Sequence, residues 1–175
     1  MFASRQLAQL IMPDRDFQGP TLEYRILTAE WKRPLLAFLN ILQEKNETDF
    51  FYPHPFTEEA LDDILSVAAL DCYCVATEGN QVLGYGLLRG WDDGYEVPSL
   101  GIAIHPDARR TGLSKGLMNF LHDTARKRGA KKVRLRVKAE NVRALALYNS
   151  LGYSFPHHEK QYLVGFLDLQ PTDRQ

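Results

Sequence analysis

The chain has 175 residues, 45% of them hydrophobic and 25% charged, with a net charge of −1. That length suits one domain with a sizeable core, and the near-neutral balance gives no reason to expect nucleic acid. No apolar run approaches a membrane span, and residues 1–19 show no apolar segment with a cleavage site, so a cytoplasmic location is expected. The two cysteines, Cys72 and Cys74, would share one face of a strand, too constrained for an ordinary disulfide. They read as small buried hydrophobes rather than as a redox or metal pair.

Residues 1–19 lack a clear period and read as an extension; a single domain is expected over residues 20–175. Thr21–Leu27 alternates as a first strand. Glu30–Glu44 follows as a helix, with Trp31, Leu35, Leu39 and Leu42 on one stripe and Pro34 in the first turn. The segment 46–56 holds Phe50, Phe51, Tyr52, Pro53, His54, Pro55 and Phe56. Such a loop either plugs one end of the core or walls an acceptor pocket, and the second reading is preferred here. Thr57 is a good helix N-cap, with Glu58 and Glu59 behind it, and that helix is expected to reach Leu70. Asp71–Thr77 and Val82–Arg89 read as a hairpin. A turn with Trp91, Asp92 and Asp93 leads to an expected long strand, Tyr95–Ile104. Pro98 and Gly101 within it suggest a bulge or an edge.

Leu113–Arg128 carries a helical stripe closed by Gly129. Lys132–Val137 is the next strand, Val142–Ser150 the next helix. Tyr153–Phe155 and Gln161–Leu169 read as a last hairpin across Pro156–Lys160. His157 and His158 have no further ligand at metal spacing, and no metal is expected. Between Arg109 and Arg143 there are 12 basic and 2 acidic residues.

The stretch Ile104-His105-Pro106-Asp107-Ala108-Arg109-Arg110-Thr111-Gly112-Leu113-Ser114-Lys115-Gly116 describes an anion site. A strand ends, a basic turn follows, and a helix begins. The first N–H groups of a helix lack internal partners and sit at the positive end of its dipole. Arg109, Arg110 and Lys115 crowd that end, where cations are disfavoured unless a polyanion offsets them. Neither GxxxxGK[ST] nor GxGxxG is present. The spacing Arg109-x-x-Gly112-x-Ser114 resembles the Arg/Gln-x-x-Gly-x-Gly/Ala motif of GNAT acyl-CoA N-acyltransferases, with Ser114 departing from the usual Gly or Ala. Asn141-Val142-Arg143-Ala144-Leu145-Ala146-Leu147-Tyr148-Asn149-Ser150-Leu151-Gly152-Tyr153 resembles the same family's later signature.

The resemblance covers residues 21–169. It implies an α/β GNAT fold: a mixed central sheet with a splayed strand pair and helices on both faces. It also implies acetyl-CoA as acyl donor, a primary amine as acceptor, and no metal. Ile102 and Ile104 would hold the pantetheine arm with backbone groups. Arg109, Arg110, Thr111, Gly112, Leu113, Ser114 and Lys115 would take the phosphates, and Asn141 the arm. Tyr148 matches the tyrosine that protonates the leaving thiolate. Glu96 is the first choice for the base, with His54, Asp92 or a water relay as rivals. Tyr52, His54, Phe56 and Trp91 are expected to bind the acceptor. The reading favours a small-molecule amine, an amino sugar or sugar nucleotide among them. A protein N-acetyltransferase and a non-catalytic acyl-CoA sensor stay as alternatives, and a homodimer is left open.

Overall fold

The computed structural model describes residues 21–169; the extension expected at residues 1–19 lies outside them. Seven strands form one mixed sheet in the order β1-β2-β3-β4-β5-β7-β6. They are β1 (Leu22–Ile26), β2 (Cys72–Glu78), β3 (Gln81–Arg89), β4 (Ser99–Ile104), β5 (Lys132–Lys138), β6 (Ser154–Glu159) and β7 (Tyr162–Asp168). The helices are α1 (Lys32–Glu44), α2 (Glu58–Val67), α3 (Leu113–Lys127) and α4 (Val142–Ser150).

Strand alternation feeds two cores, one on each face of the sheet. Tyr85 and Leu87 of β3 point to α1 and α2, and join Leu35, Phe38, Leu39, Leu42 and Leu61. Leu88, Cys72 and Cys74 point the other way, to Leu113, Leu117, Met118 and Leu121 of α3. Both thiols are free and buried, and burial pushes them above the ordinary thiol range. Helix α3 lies tight on β3 at Gly86, where a Cβ would come within 2.9 Å of Leu121 Cδ1 and 3.0 Å of Cys74 Sγ. Each large α3 side chain buried there contributes about 1.5–3 kcal/mol.

Three expected elements change. Helix α2 starts as expected, with Thr57 Oγ1 accepting from Ala60 N–H at 3.2 Å, but it stops at Val67. The N–H groups of Ala69, Leu70 and Asp71 donate instead to the Asp92 carboxylate. Asp71 returns the arrangement, accepting from Gly90, Trp91 and Asp92.

Strand β4 begins at Ser99, not Tyr95. Gly94 N–H donates to Trp91 O and Tyr95 N–H to Gly90 O, closing a turn, and Pro98 has no N–H for the ladder. Within β4 no bulge occurs at Gly101: six consecutive pairs run from Arg89↔Ser99 to Gly84↔Ile104.

The final hairpin turns at Lys160 and Gln161, and Pro156–Glu159 belong to β6. Proline is tolerated because β6 is an edge strand and its register slips between Ser154 and His157.

Between β4 and β5 the sheet opens. They run parallel but share a single bridge, Ser99↔Arg134, with Arg134 N–H donating to Pro98 O at 3.0 Å. Beyond that point the two strands diverge, and the cleft lies between them.

Candidate active site

The cleft has a volume of about 560 Å³. Its walls are Ile102–Ile104 of β4, Arg136 and Val137 of β5, and Asn141–Ala144, Leu147 and Tyr148 of the α4 region. Leu42, Glu47, Phe50 and Phe51 close one side; Arg109, Arg110 and Ser114 close the end.

Pairing geometry explains why β4 is chemically available. His105 N–H donates to Leu83 O at 2.8 Å, so the odd residues of β4 face β3. Alternation turns the N–H and C=O groups of Ile102 and Ile104 toward β5, which has already splayed away. Both residues therefore stand where they were expected, with backbone groups facing the cleft.

At the end of β4 the chain makes a short 3-10 turn, Pro106–Ala108. Arg110 then adopts φ 65° and Gly112 φ 88°, left-handed values that glycine takes freely and arginine does not. Gly112 is the N-cap of α3. The first helical bond is Gly116 N–H to Gly112 O, 3.1 Å, so the N–H groups of Leu113, Ser114 and Lys115 have no intrahelical acceptor. A Cβ on Gly112 would meet nothing within 4 Å; that space is open for a bulky anion. Thr111 folds back, its Oγ1 donating to Ala108 O at 2.7 Å. Leu113 is buried in the core and offers the site only its N–H. Lys115 is exposed, outside the cleft wall. Four cations, Arg109, Arg110, Arg136 and Arg143, line a cleft with two carboxylates, Glu47 and Glu140; Arg136 lies 3.6 Å from Glu159. Glu47 pairs with Arg109 at 2.9 Å and Glu140 with Lys138 at 3.8 Å. Backbone donors, helix end, arginines and unpaired strand all fit a phosphorylated pantetheine donor such as acetyl-CoA.

Asn141 caps α4, its Oδ1 accepting from Ala144 N–H at 3.2 Å, which leaves its amide hydrogens for a ligand. Tyr148 lies one face along, at helical spacing from Asn141 and Ala144. It is 7% exposed, and burial pushes its phenol up to about 12. At neutral pH it is a proton-bearing donor. Its ring packs against Tyr153, 5.7 Å between centroids.

The residues expected to bind the acceptor do not line this cleft. Phe56 is buried in the α1/α2 core. His54 Nε2 lies 2.9 Å from the Tyr85 hydroxyl and Nδ1 2.7 Å from Pro55 O. Burial lowers the imidazole below its usual value and raises the Tyr85 phenol well above its own. The consistent assignment is a neutral ring that donates from Nδ1 and accepts from Tyr85. Arg89 ties down the same loop, donating to Pro53 O at 2.7 Å. His54 and Phe56 thus plug the core; Tyr52 packs outside, its ring tilted against Phe56 with centroids 5.0 Å apart. Of this segment's aromatic residues, Phe50 and Phe51 face the cleft, and Lys138 Nζ sits 5.5 Å from the Phe50 ring.

Trp91 and Glu96 are elsewhere again. They line a second hollow with Leu70, Tyr95 and Arg128, and Arg128 lies 5.4 Å over the Trp91 ring. Glu96 left the cleft because β4 begins three residues after it. Asp92 is committed to three N–H groups, which hold its carboxyl below the usual value.

The sequence reading missed Glu47, Arg136, Val137, Arg143 and Leu147. Leu147 was findable from the stripe Asn141, Ala144, Tyr148. Val137 follows once β5 is taken as the facing wall of a splayed pair. Glu47 and Arg143 carried no local signal.

Residues 35–153 match the model of the Acetyltransferase (GNAT) family, and the chain belongs to that family. It is 42% identical over 59 residues to the [ribosomal protein bS18]-alanine N-acetyltransferase of Escherichia coli (strain K12), covering 34% of this chain and 40% of that protein. It is 34% identical over 90 residues to the N-terminal acetyltransferase B complex catalytic subunit NAA20 of Arabidopsis thaliana, covering 50% and 52%. The chain spans about half or less of the length of these curated relatives. Its fold is that of the PaiA N-acetyltransferase from Thermoplasma acidophilum, solved in complex with coenzyme A: TM-score 0.71, 14% identity, 85% of this chain and 99% of that one. No described helix is long and apolar enough to cross a membrane.

Proposed function

We propose that this chain transfers an acetyl group from acetyl-CoA to the free amine of a polypeptide N-terminus. The observation that carries the transferase reading is the unpaired edge of β4 at Ile102 and Ile104, with an anion-binding helix end beyond it and Tyr148 buried at its side. Acetyl-CoA supplies the activated acyl group. Ile102 and Ile104 would hold the arm by backbone bonds, and the α3 end with Arg109 and Arg110 would hold the phosphates. Tyr148 would donate a hydrogen bond to the departing sulfur.

The acceptor assignment rests on shape and on kinship. A small amine was expected because an aromatic loop would enclose a pocket. That loop turns His54 and Phe56 into the core instead. The cleft is left bordered by exposed groups, Phe50 at 49% and Val142 at 75%, which suits an extended chain. One relative is named as an alanine N-acetyltransferase of a ribosomal protein and another as the catalytic subunit of an N-terminal acetyltransferase complex. The test is acetyl-CoA turnover against a panel of peptides with free N-termini, alongside polyamines, amino sugars and sugar nucleotides. Peptide turnover above every small amine is expected. A small amine turned over faster overturns the acceptor assignment, and turnover of none with tight acetyl-CoA binding makes the chain a sensor.

A further inference from the structure

The phosphate turn and the segment bearing Phe50 and Phe51 come from distant parts of the chain, yet one ion pair joins them. Arg109 NH1 donates to Glu47 Oε1 at 2.9 Å across 62 residues of sequence. The two side chains are only 24% and 27% exposed, so the pair is screened less than a surface pair. Glu47 also opens the 3-10 turn Glu47–Asp49. Its carbonyl accepts the N–H groups of Phe50 at 3.0 Å and Phe51 at 3.2 Å. One residue therefore grips the cleft wall through its backbone and the phosphate turn through its carboxylate.

We infer that Glu47 is a positioning residue: through Arg109 it makes the placement of Phe50 and Phe51 respond to an anion bound at the phosphate turn. The inference rests on the reading that one end of the cleft takes the CoA phosphates and the other the amine. A guanidinium has five N–H donors in a rigid fork, and Glu47 engages one nitrogen. The others are left for a phosphate. A bound phosphate that turns the fork moves the Glu47 carboxylate with it. The short turn 47–49 passes that movement to Phe50 and Phe51. Acceptor binding then strengthens when the donor is bound, and the same factor operates in reverse.

Two measurements decide it. In the first, 19F-phenylalanine spectra, assigned with Phe50→Leu and Phe51→Leu, are recorded with CoA alone. CoA should shift both signals in the wild type and shift them less than about half as far in Glu47→Gln, with the CoA Kd changed less than about threefold, below ordinary allosteric coupling. In the second, Glu47→Gln should raise the acceptor KM about fivefold or more at saturating acetyl-CoA, and should add nothing in an Arg109→Met background. Equal fluorine shifts in wild type and variant, or KM effects that multiply across the two substitutions, overturn the coupling alone. Acetylation of no amine by a wild type that binds CoA sinks the transferase reading and leaves the fluorine test decisive. CoA that fails to bind the wild type sinks both.

Discussion

The Tyr153 hydroxyl lies 2.8 Å from His122 Nε2, a buried bond between the residue just before β6 and the inner face of α3. Burial lowers His122 to about 4 and pushes the Tyr153 phenol up, so the phenol donates and the neutral imidazole accepts. Tyr153 in turn backs the ring of Tyr148.

A stability profile follows. An unfolded histidine titrates near 6.5, so between about 6.5 and about 4 the unfolded chain binds the extra proton. His122 therefore contributes fully above pH about 6.5, and the contribution falls as pH drops toward about 4, by on the order of 3 kcal/mol. Tyr153→Phe leaves His122 Nε2 buried without a donor and should cost about 1–3 kcal/mol at pH 7. Urea melts across pH 4–7.5 check both. A His122→Leu variant with an unchanged acid limb would show that other groups set it.

Much of this architecture was legible because local rules agreed with one another. The α3 and α4 stripes, the Thr57 cap and the β2–β3 hairpin each follow from periodicity or turn chemistry. The phosphate turn was legible because its parts are contiguous, residues 104–116. The acceptor side was not, since it depends on where a loop's side chains turn once packed. Tyr85 is a buried phenol in need of a partner, and it draws His54 inward. Asp92, read as a rival base, is spent on N–H groups at the end of α2. Glu96 lies outside the cleft because of a boundary: Pro98 sets the start of β4, and Tyr95 and Glu96 stay with the second hollow.

The Gly112 position separates ligand approach from backbone strain. At φ 88° a branched residue costs about 1–3 kcal/mol, within the reserve of an ordinary domain. Gly112→Val should fold with a lower Tm and lose acetyl-CoA affinity at least about tenfold, equal to about 1.4 kcal/mol. Gly112→Ala, with a single Cβ in open space, should lose less. Calorimetry on both variants checks it; unchanged affinity in folded Gly112→Val would remove the helix end from the phosphate site.

Tyr148 sets the size of the next effect. A phenol near 12 is a weaker acid than a thiol near 8.5. In the proposed reaction it would stabilise the leaving sulfur by donating a hydrogen bond, without needing to surrender its proton. A hydrogen bond to a charged group is worth about 1.5–3 kcal/mol, so Tyr148→Phe should lower kcat about 10- to 100-fold. Acetyl-CoA affinity should hold, because the ring and its packing on Tyr153 remain. A fall well beyond a thousandfold would mean full proton transfer, and wild-type turnover would take Tyr148 out of the chemistry.

The last expectation concerns how the amine loses its proton. Among the described residues, each carboxylate of the cleft already faces a cation, Glu47 with Arg109 and Glu140 with Lys138. His54 uses both ring nitrogens, Asp92 accepts three N–H groups, and Glu96 lies in the other hollow. With no unpaired carboxylate or histidine of the described residues in the cleft, water is the expected proton acceptor, and only the neutral fraction of the acceptor amine should react. For a peptide N-terminus, kcat/KM should rise about tenfold per pH unit and level near pH 7.7–8.0, the ordinary α-amine range. A lysine side chain as acceptor would keep the slope rising toward pH 10.4. Glu96→Gln should reproduce the wild-type curve in slope and break. If Glu96→Gln instead flattens the acid limb and lowers the plateau, Glu96 is the base after all, and the loop 91–98 must swing toward the cleft during turnover.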